Sequence, residues 1–196
     1  MSTHAQHVLI LKSSPRKRAN SSILADRVAD GARAAGATVE SFELHAMNIR
    51  PCDACDFCQG LNAGQCAIDD DMQVLYPKLI AADSLVLATP VYWFTMSAQL
   101  KLFVDRWYAL QGPGGSALTG KKAGIVLTYG DDDPFISGAV NALRAFQDGF
   151  RYLGIDIAGY VYGQAGRPGE MDHNPALLTR AYTLGQTLAQ PQPAPA

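Results

Sequence analysis

The sequence predicts an α/β fold, a doubly wound five-stranded parallel sheet with helices on both faces. Three observations carry this expectation. Residues 7–12 and 84–89 form continuous rather than alternating apolar runs, as strands covered on both faces do. Stretches with helical apolar spacing separate the strand segments, so each strand sits in a crossover unit. The 196 residues are enough for one such core.

The elements follow in order. The strand at 7–12 leads into a polar turn at 13–20. Ile23, Leu24, Val28 and Ala32 then recur at helical spacing, and Gly36 suits a helix C-terminus. Residues 39–44 alternate like a strand. Asp69, Asp70 and Asp71 place negative charge at the start of a second helix, which Pro77 should kink or shorten. After the strand at 84–89 and a loop at 90–95, Leu100, Phe103, Val104 and Trp107 mark one helix face. Lys101 and Asp105, four residues apart, form an expected surface pair without a catalytic role. The glycine-rich stretch 108–120 reads as a flexible surface loop. Residues 122–128 form a third central strand, Val140, Leu143, Phe146 and Phe150 trace a helix, and 155–163 a last strand. Asn174 and Pro175 are an N-cap and first-turn pair for a final helix carrying Leu177, Leu178, Ala181, Leu184 and Leu188. The expected organisation is one domain over 1–189, with a cysteine-bearing loop at 45–69 and a proline-rich tail at 190–196.

Composition narrows the function. Hydrophobic residues make up 48% and charged residues 17%, and the net charge is −2 without a basic stripe. Nucleic acid and membrane are therefore not expected partners. No run reaches the ~18 apolar residues of a membrane span. Met1–His7 is polar and not followed by a secretory signal pattern, so a cytoplasmic location is expected. The histidines His4, His7, His45 and His173 stand near no serine or cysteine in a nucleophile–base arrangement, which leaves hydrolase readings without support.

Three loops follow buried strands on the side where such sheets bind ligands. The first, residues 13–22, brings hydroxyls, an Asn amide and backbone N–H groups to a helix N-terminus, an anion site that fits a phosphate monoester. It lacks both the Gly-Lys-Ser/Thr ending of a P-loop and the Gly-x-Gly-x-x-Gly dinucleotide turn. An ordinary capped helix is the alternative. The second loop carries Tyr92, Trp93 and Phe94 together, costly to leave in water, which suits a flat heterocycle or a partner subunit. The third, 128–134, has Gly130 where backbone could approach a ring.

All four cysteines fall in one stretch, Cys52-x2-Cys55-x2-Cys58-x7-Cys66. Such crowding matches ligation of a 4Fe–4S cluster better than a zinc site built from two separated pairs. Four ordinary thiols in a lid loop remain the alternative.

Leu11-Lys12-Ser13-Ser14-Pro15-Arg16 with Asn20-Ser21, then Asp70-Asp71-Met72, then Thr89-Pro90-Val91-Tyr92-Trp93 with Ala98-Gln99-Leu100-Lys101 and Asp105-Arg106, occur in order between residues 7 and 165. Together they resemble the NADPH-dependent FMN reductase and iron–sulfur flavoprotein family, whose fold is flavodoxin-like. The resemblance implies FMN phosphate contacts from Ser14, Arg16, Asn20, Ser21 and Ser22. It implies that Pro90, Val91, Tyr92, Trp93 and Phe94 line the ribityl chain and isoalloxazine, with Tyr129 and Gly130 closing the other side. Many relatives carry Gly where this chain has Ala19 and Phe94. The cysteine spacing also resembles the compact motif of the iron–sulfur members. The expected activity is electron transfer from NAD(P)H through FMN to a quinone, flavin or other small acceptor, the cofactor carrying the chemistry. The alternative is an iron–sulfur flavoprotein carrying electrons between protein partners; a redox sensor is a third reading. Exposed Trp93, Phe94 and Trp107 near the site would leave a sizeable apolar patch, which predicts a homodimer or homotetramer.

Overall fold

A computed structural model describes residues 5–62 and 64–191, so the tail at 190–196 lies mostly outside the described residues. Five parallel strands form the sheet: β1 (His7–Lys12), β2 (Thr38–Glu43), β3 (Ser84–Tyr92), β7 (Lys122–Tyr129) and β8 (Asp156–Gln164). Their order is β2-β1-β3-β7-β8. A two-residue strand, β4 (Thr95–Met96), folds back antiparallel on the end of β3. The helices are α1 (Asn20–Ala34), α2 (Met72–Ala81), α3 (Ala98–Asp105), α4 (Ala139–Leu153) and α5 (Pro175–Leu188). Among the described residues, no helix is long and apolar enough to cross a membrane.

Continuous apolar strands are buried because both sheet faces are covered. Val8 and Ile10 of β1, with Val86, Val126 and Val161, face Leu24 and Val28 of α1 and Leu184 and Leu188 of α5. The alternate residues Leu9, Leu11, Leu85, Leu87, Ile125 and Leu127 pack with Leu75 and Leu79 of α2, Phe103 of α3 and Phe150 of α4. At Gly185, α5 meets α1 backbone to backbone, since a side chain there would strike the Val28 carbonyl. Asn174 caps α5 as its sequence predicts, accepting a hydrogen bond from Leu177 N at 3.1 Å.

Two expectations need correction. Residues 108–120 are not a simple surface loop: β5 (Gln111–Gly112) pairs with β6 (Gly115–Ser116), and Leu110 and Leu118 enter the core. Two isolated apolar anchors among glycines gave too little periodicity to reveal this. Trp107 belongs to no exposed patch. It continues the inward face of α3, 2% exposed, with its ring stacked on Phe150 and edge-on to Phe103. Pro77 lies inside α2, a helix of ten residues that ends at Ala81.

The strand order reverses between β1 and β3. Connections leaving neighbouring strands there depart in opposite directions and open a crevice beyond the carboxyl ends.

Candidate cofactor-binding site

The cleft at this reversal is lined by the loops after β1, β3, β7 and β8. Nine residues singled out in the sequence meet there: Ser14, Arg16, Asn20 and Ser21 from the first, Pro90, Val91 and Tyr92 from the second, Tyr129 and Gly130 from the third. Thr128, at the start of the third loop, is with them. Ser22 lies instead in an adjoining groove with Arg16, Lys17 and Arg18, and Trp93 and Phe94 stand outside the lining, at 91% and 54% exposure. The sequence reading missed the fourth wall, Ala165, Gly166 and Pro168. Its small residues carry no charge or aromatic signal; only its place after the last strand marks it.

The polar end fits a phosphate on two grounds. The N-cap position of α1 is Ala19, which has no oxygen to offer, and no side chain caps the helix. Its first-turn N–H groups and positive dipole end are left to an outside acceptor. Beside them Ser21 is 1% exposed, and its Oγ is buried without a hydrogen-bond partner. An orphaned buried hydroxyl is unfavourable unless a ligand completes it. Arg16 spans the opening, with Nη1 donating to Gly166 O at 3.3 Å and its guanidinium 5.9 Å from the centre of the Tyr92 ring. Asn20, also in the lining, is tied to protein. Its Nδ2 donates to Arg167 O at 2.8 Å and its Oδ1 accepts from Met171 N at 3.1 Å, so it anchors the fourth wall.

A buried polar chain fixes the loops from below. Ser97 Oγ donates to Ser13 Oγ at 2.8 Å, Ser13 Oγ donates to Ala88 O at 3.1 Å, and Ser97 N donates to Thr89 Oγ1 at 3.0 Å. Across the cleft, Ala165 N donates to Tyr129 O at 2.7 Å. Burial pushes the Tyr129 phenol above its ordinary value, with Tyr162 and Asp133 adding to the shift, so it stays a neutral hydrogen-bonding group.

The cysteine loop is organised around a different group. Arg106 and Asp70, both with fully buried side chains, form an ion pair with Nη2 3.2 Å from Oδ1, and Asp70 also accepts from Arg50 N and Met72 N. Arg106 Nη2 donates to Cys66 Sγ at 3.2 Å, and Cys58 is buried in the core. Cys52 and Cys55 are exposed. Among the described residues, no three or more His, Cys, Asp or Glu side chains are placed to hold a metal ion. The four thiols, two outward and two engaged with protein, do not fit a four-thiolate cluster in this arrangement.

Comparison with known proteins agrees with the fold. Residues 6–185 match a family described by its flavodoxin-like fold. A Bacillus subtilis protein named, provisionally, as an NAD(P)H-dependent FMN-containing oxidoreductase is 29% identical over 90% of this chain and 95% of its own. An iron–sulfur flavoprotein of Archaeoglobus fulgidus is 32% identical over 90% of this chain and 76% of its own. Among solved structures, an NAD(P)H:quinone oxidoreductase from Methanothermobacter marburgensis superposes with a TM-score of 0.72 at 23% identity, covering 96% of this chain and all of that one, a likeness of fold.

Proposed function

This chain belongs to the flavodoxin-like family, and we propose that it is an FMN-dependent oxidoreductase moving electrons from NAD(P)H to a quinone, flavin or other small acceptor. The observation that carries the reading is the uncapped N-terminus of α1 beside the orphaned Ser21 Oγ, in a cleft whose other walls include Pro90, Val91, Tyr92, Tyr129 and Gly130. Ser14, Arg16 and Ser21 would hold the phosphate, with Ser22 behind them and Asn20 positioning the fourth wall. Val91 and Tyr92 would face one side of the flavin, with Trp93 and Phe94 beyond its edge, and Tyr129 and Gly130 the other. Bound FMN would supply two-electron chemistry, accepting hydride from the nicotinamide. The protein's part is to fix the ring, exclude water and supply neutral donors near it. Overall, a hydride from NAD(P)H and one solvent proton convert a quinone to a hydroquinone.

The test is anaerobic addition of NADH or NADPH to the FMN-loaded protein. The reading predicts bleaching of the flavin absorbance, with colour restored by a quinone. Unbleached flavin that a reduced ferredoxin can still reduce would point to the second reading, a carrier between proteins. That reading is favoured by the cysteine spacing and by the Archaeoglobus relative, and would need the cysteine loop to rearrange around a 4Fe–4S cluster. Iron and sulfide analysis of protein purified without oxygen separates the two.

A homodimer or homotetramer belongs to the same proposal, supported by exposed Phe57 and Leu61 on the cysteine loop. Four free cysteines suit a reducing, cytoplasmic compartment.

A further inference from the structure

The turn joining β3 to β4 breaks a local backbone rule. Val91 pairs with Met96 and Tyr92 with Thr95, which leaves Trp93-Phe94 as a two-residue hairpin loop. Both have positive φ, 48° and 66°. That is the pattern of a turn whose central positions favour Asn and Gly, and bulky side chains are strained in it. The surrounding structure enforces the conformation. Asn141 Nδ2 donates to Phe94 O at 3.2 Å, and Gly138, itself at φ 77°, leaves the space Phe94 occupies, since any side chain there would run into the Phe94 backbone.

The strained turn holds Trp93 out in solvent, its ring edge-on to Phe94 at 6.5 Å. The loop after β7 adds Phe135 and Ile136, 75% and 63% exposed, and Gly138 N donates to Phe135 O at 3.2 Å beside the Phe94 contact. These two loops also supply Val91, Tyr92, Tyr129 and Gly130 to the cleft. Exposed apolar side chains therefore stand on two loops that touch each other and whose strands both line the cleft. The same loop carries Asp131, Asp132 and Asp133, which would repel an anion arriving there.

We infer that Trp93, Phe94, Phe135 and Ile136 form an acceptor platform that takes the flat, neutral ring of a quinone and disfavours anionic acceptors such as flavin phosphates. The inference rests on the proposed oxidoreductase activity and selects among its acceptors. An apolar ring gains by leaving water against this platform, whereas an anion gains nothing from the rings and meets three carboxylates.

The experiment uses the FMN-loaded protein with NADH or NADPH and compares 2-methyl-1,4-naphthoquinone with ferricyanide. Trp93→Ser and the double variant Phe135→Ser/Ile136→Ser are each expected to lower the quinone-to-ferricyanide ratio of kcat/KM about tenfold, mainly through the quinone KM. The double variant leaves the strained turn intact, and FMN content reports folding for both. Ratios within about twofold of the parent in the double variant would overturn the inference. So would a parent that reduces ferricyanide but not the quinone. So too would equal loss with both acceptors accompanied by a change in molar mass by light scattering, which would make the platform an interface between copies. Oxidation of NAD(P)H with neither acceptor would instead remove the proposed activity, and this inference with it.

Discussion

Ser21 has the chemistry of a ligand-completed residue: a hydroxyl with almost no exposure, beside an uncapped helix, and no protein partner. Ser21→Ala should weaken FMN binding about tenfold while leaving riboflavin, which lacks the phosphate, little changed; fluorescence titration measures both. Asp70 and Arg106 each stood in a recognised sequence segment, yet nothing in the spacing joined them. Pairing across 36 positions is a property of the fold, and it became visible only with both side chains buried together. Asp70→Asn would leave a buried guanidinium unpaired and should cost about 3–5 kcal/mol in denaturant unfolding. Burial alone would raise the Asp70 carboxyl, but Arg106 and the N–H groups of Arg50 and Met72 outweigh it and hold it below the usual range. A lowered native value means that the carboxylate's stabilisation is present above the unfolded value of about 4 and is lost as pH falls through the native one. Thermal melting should show that acid-side loss in the parent and much less of it in Asp70→Asn.

At the scale of elements, strands and helices were legible wherever apolar spacing was long and regular. Both faces of β1 could be read from Val8–Leu11, and the start of α5 from Asn174 and Pro175. The surface pair Lys101–Asp105 also stands as expected, at 2.6 Å. The β3–β4 hairpin was read as a loop because Trp93-Phe94 is the wrong chemistry for its turn. Tertiary contacts with α4 overrule local preference there. Gly138→Ala should therefore destabilise the protein by at least about 1 kcal/mol, through both the left-handed backbone and the collision with Phe94. In the cysteine loop the spacing suits either a cluster or four ordinary thiols, and in the fold Cys58 packs into the core while Cys66 accepts from Arg106.

For the whole molecule, strand order decides where chemistry can occur. Three of the four cleft walls could be named from the sequence because each loop follows a recognisable buried strand and carries polar, aromatic or glycine residues. The fourth, Ala165 to Pro168, came from closure of the sheet by β8 and the tie between Ala165 and Tyr129. On the proposed reading, the start of α1 holds the phosphate and the walls bearing Tyr92 and Tyr129 hold the ring. The most direct measurement of this arrangement is titration of cofactor-free protein with FMN and with riboflavin, followed by flavin fluorescence. Saturable FMN binding at one per chain, about a hundredfold tighter than riboflavin, is the expected result. Equal affinity for the two, or no binding of either, would contradict a phosphate held at the start of α1.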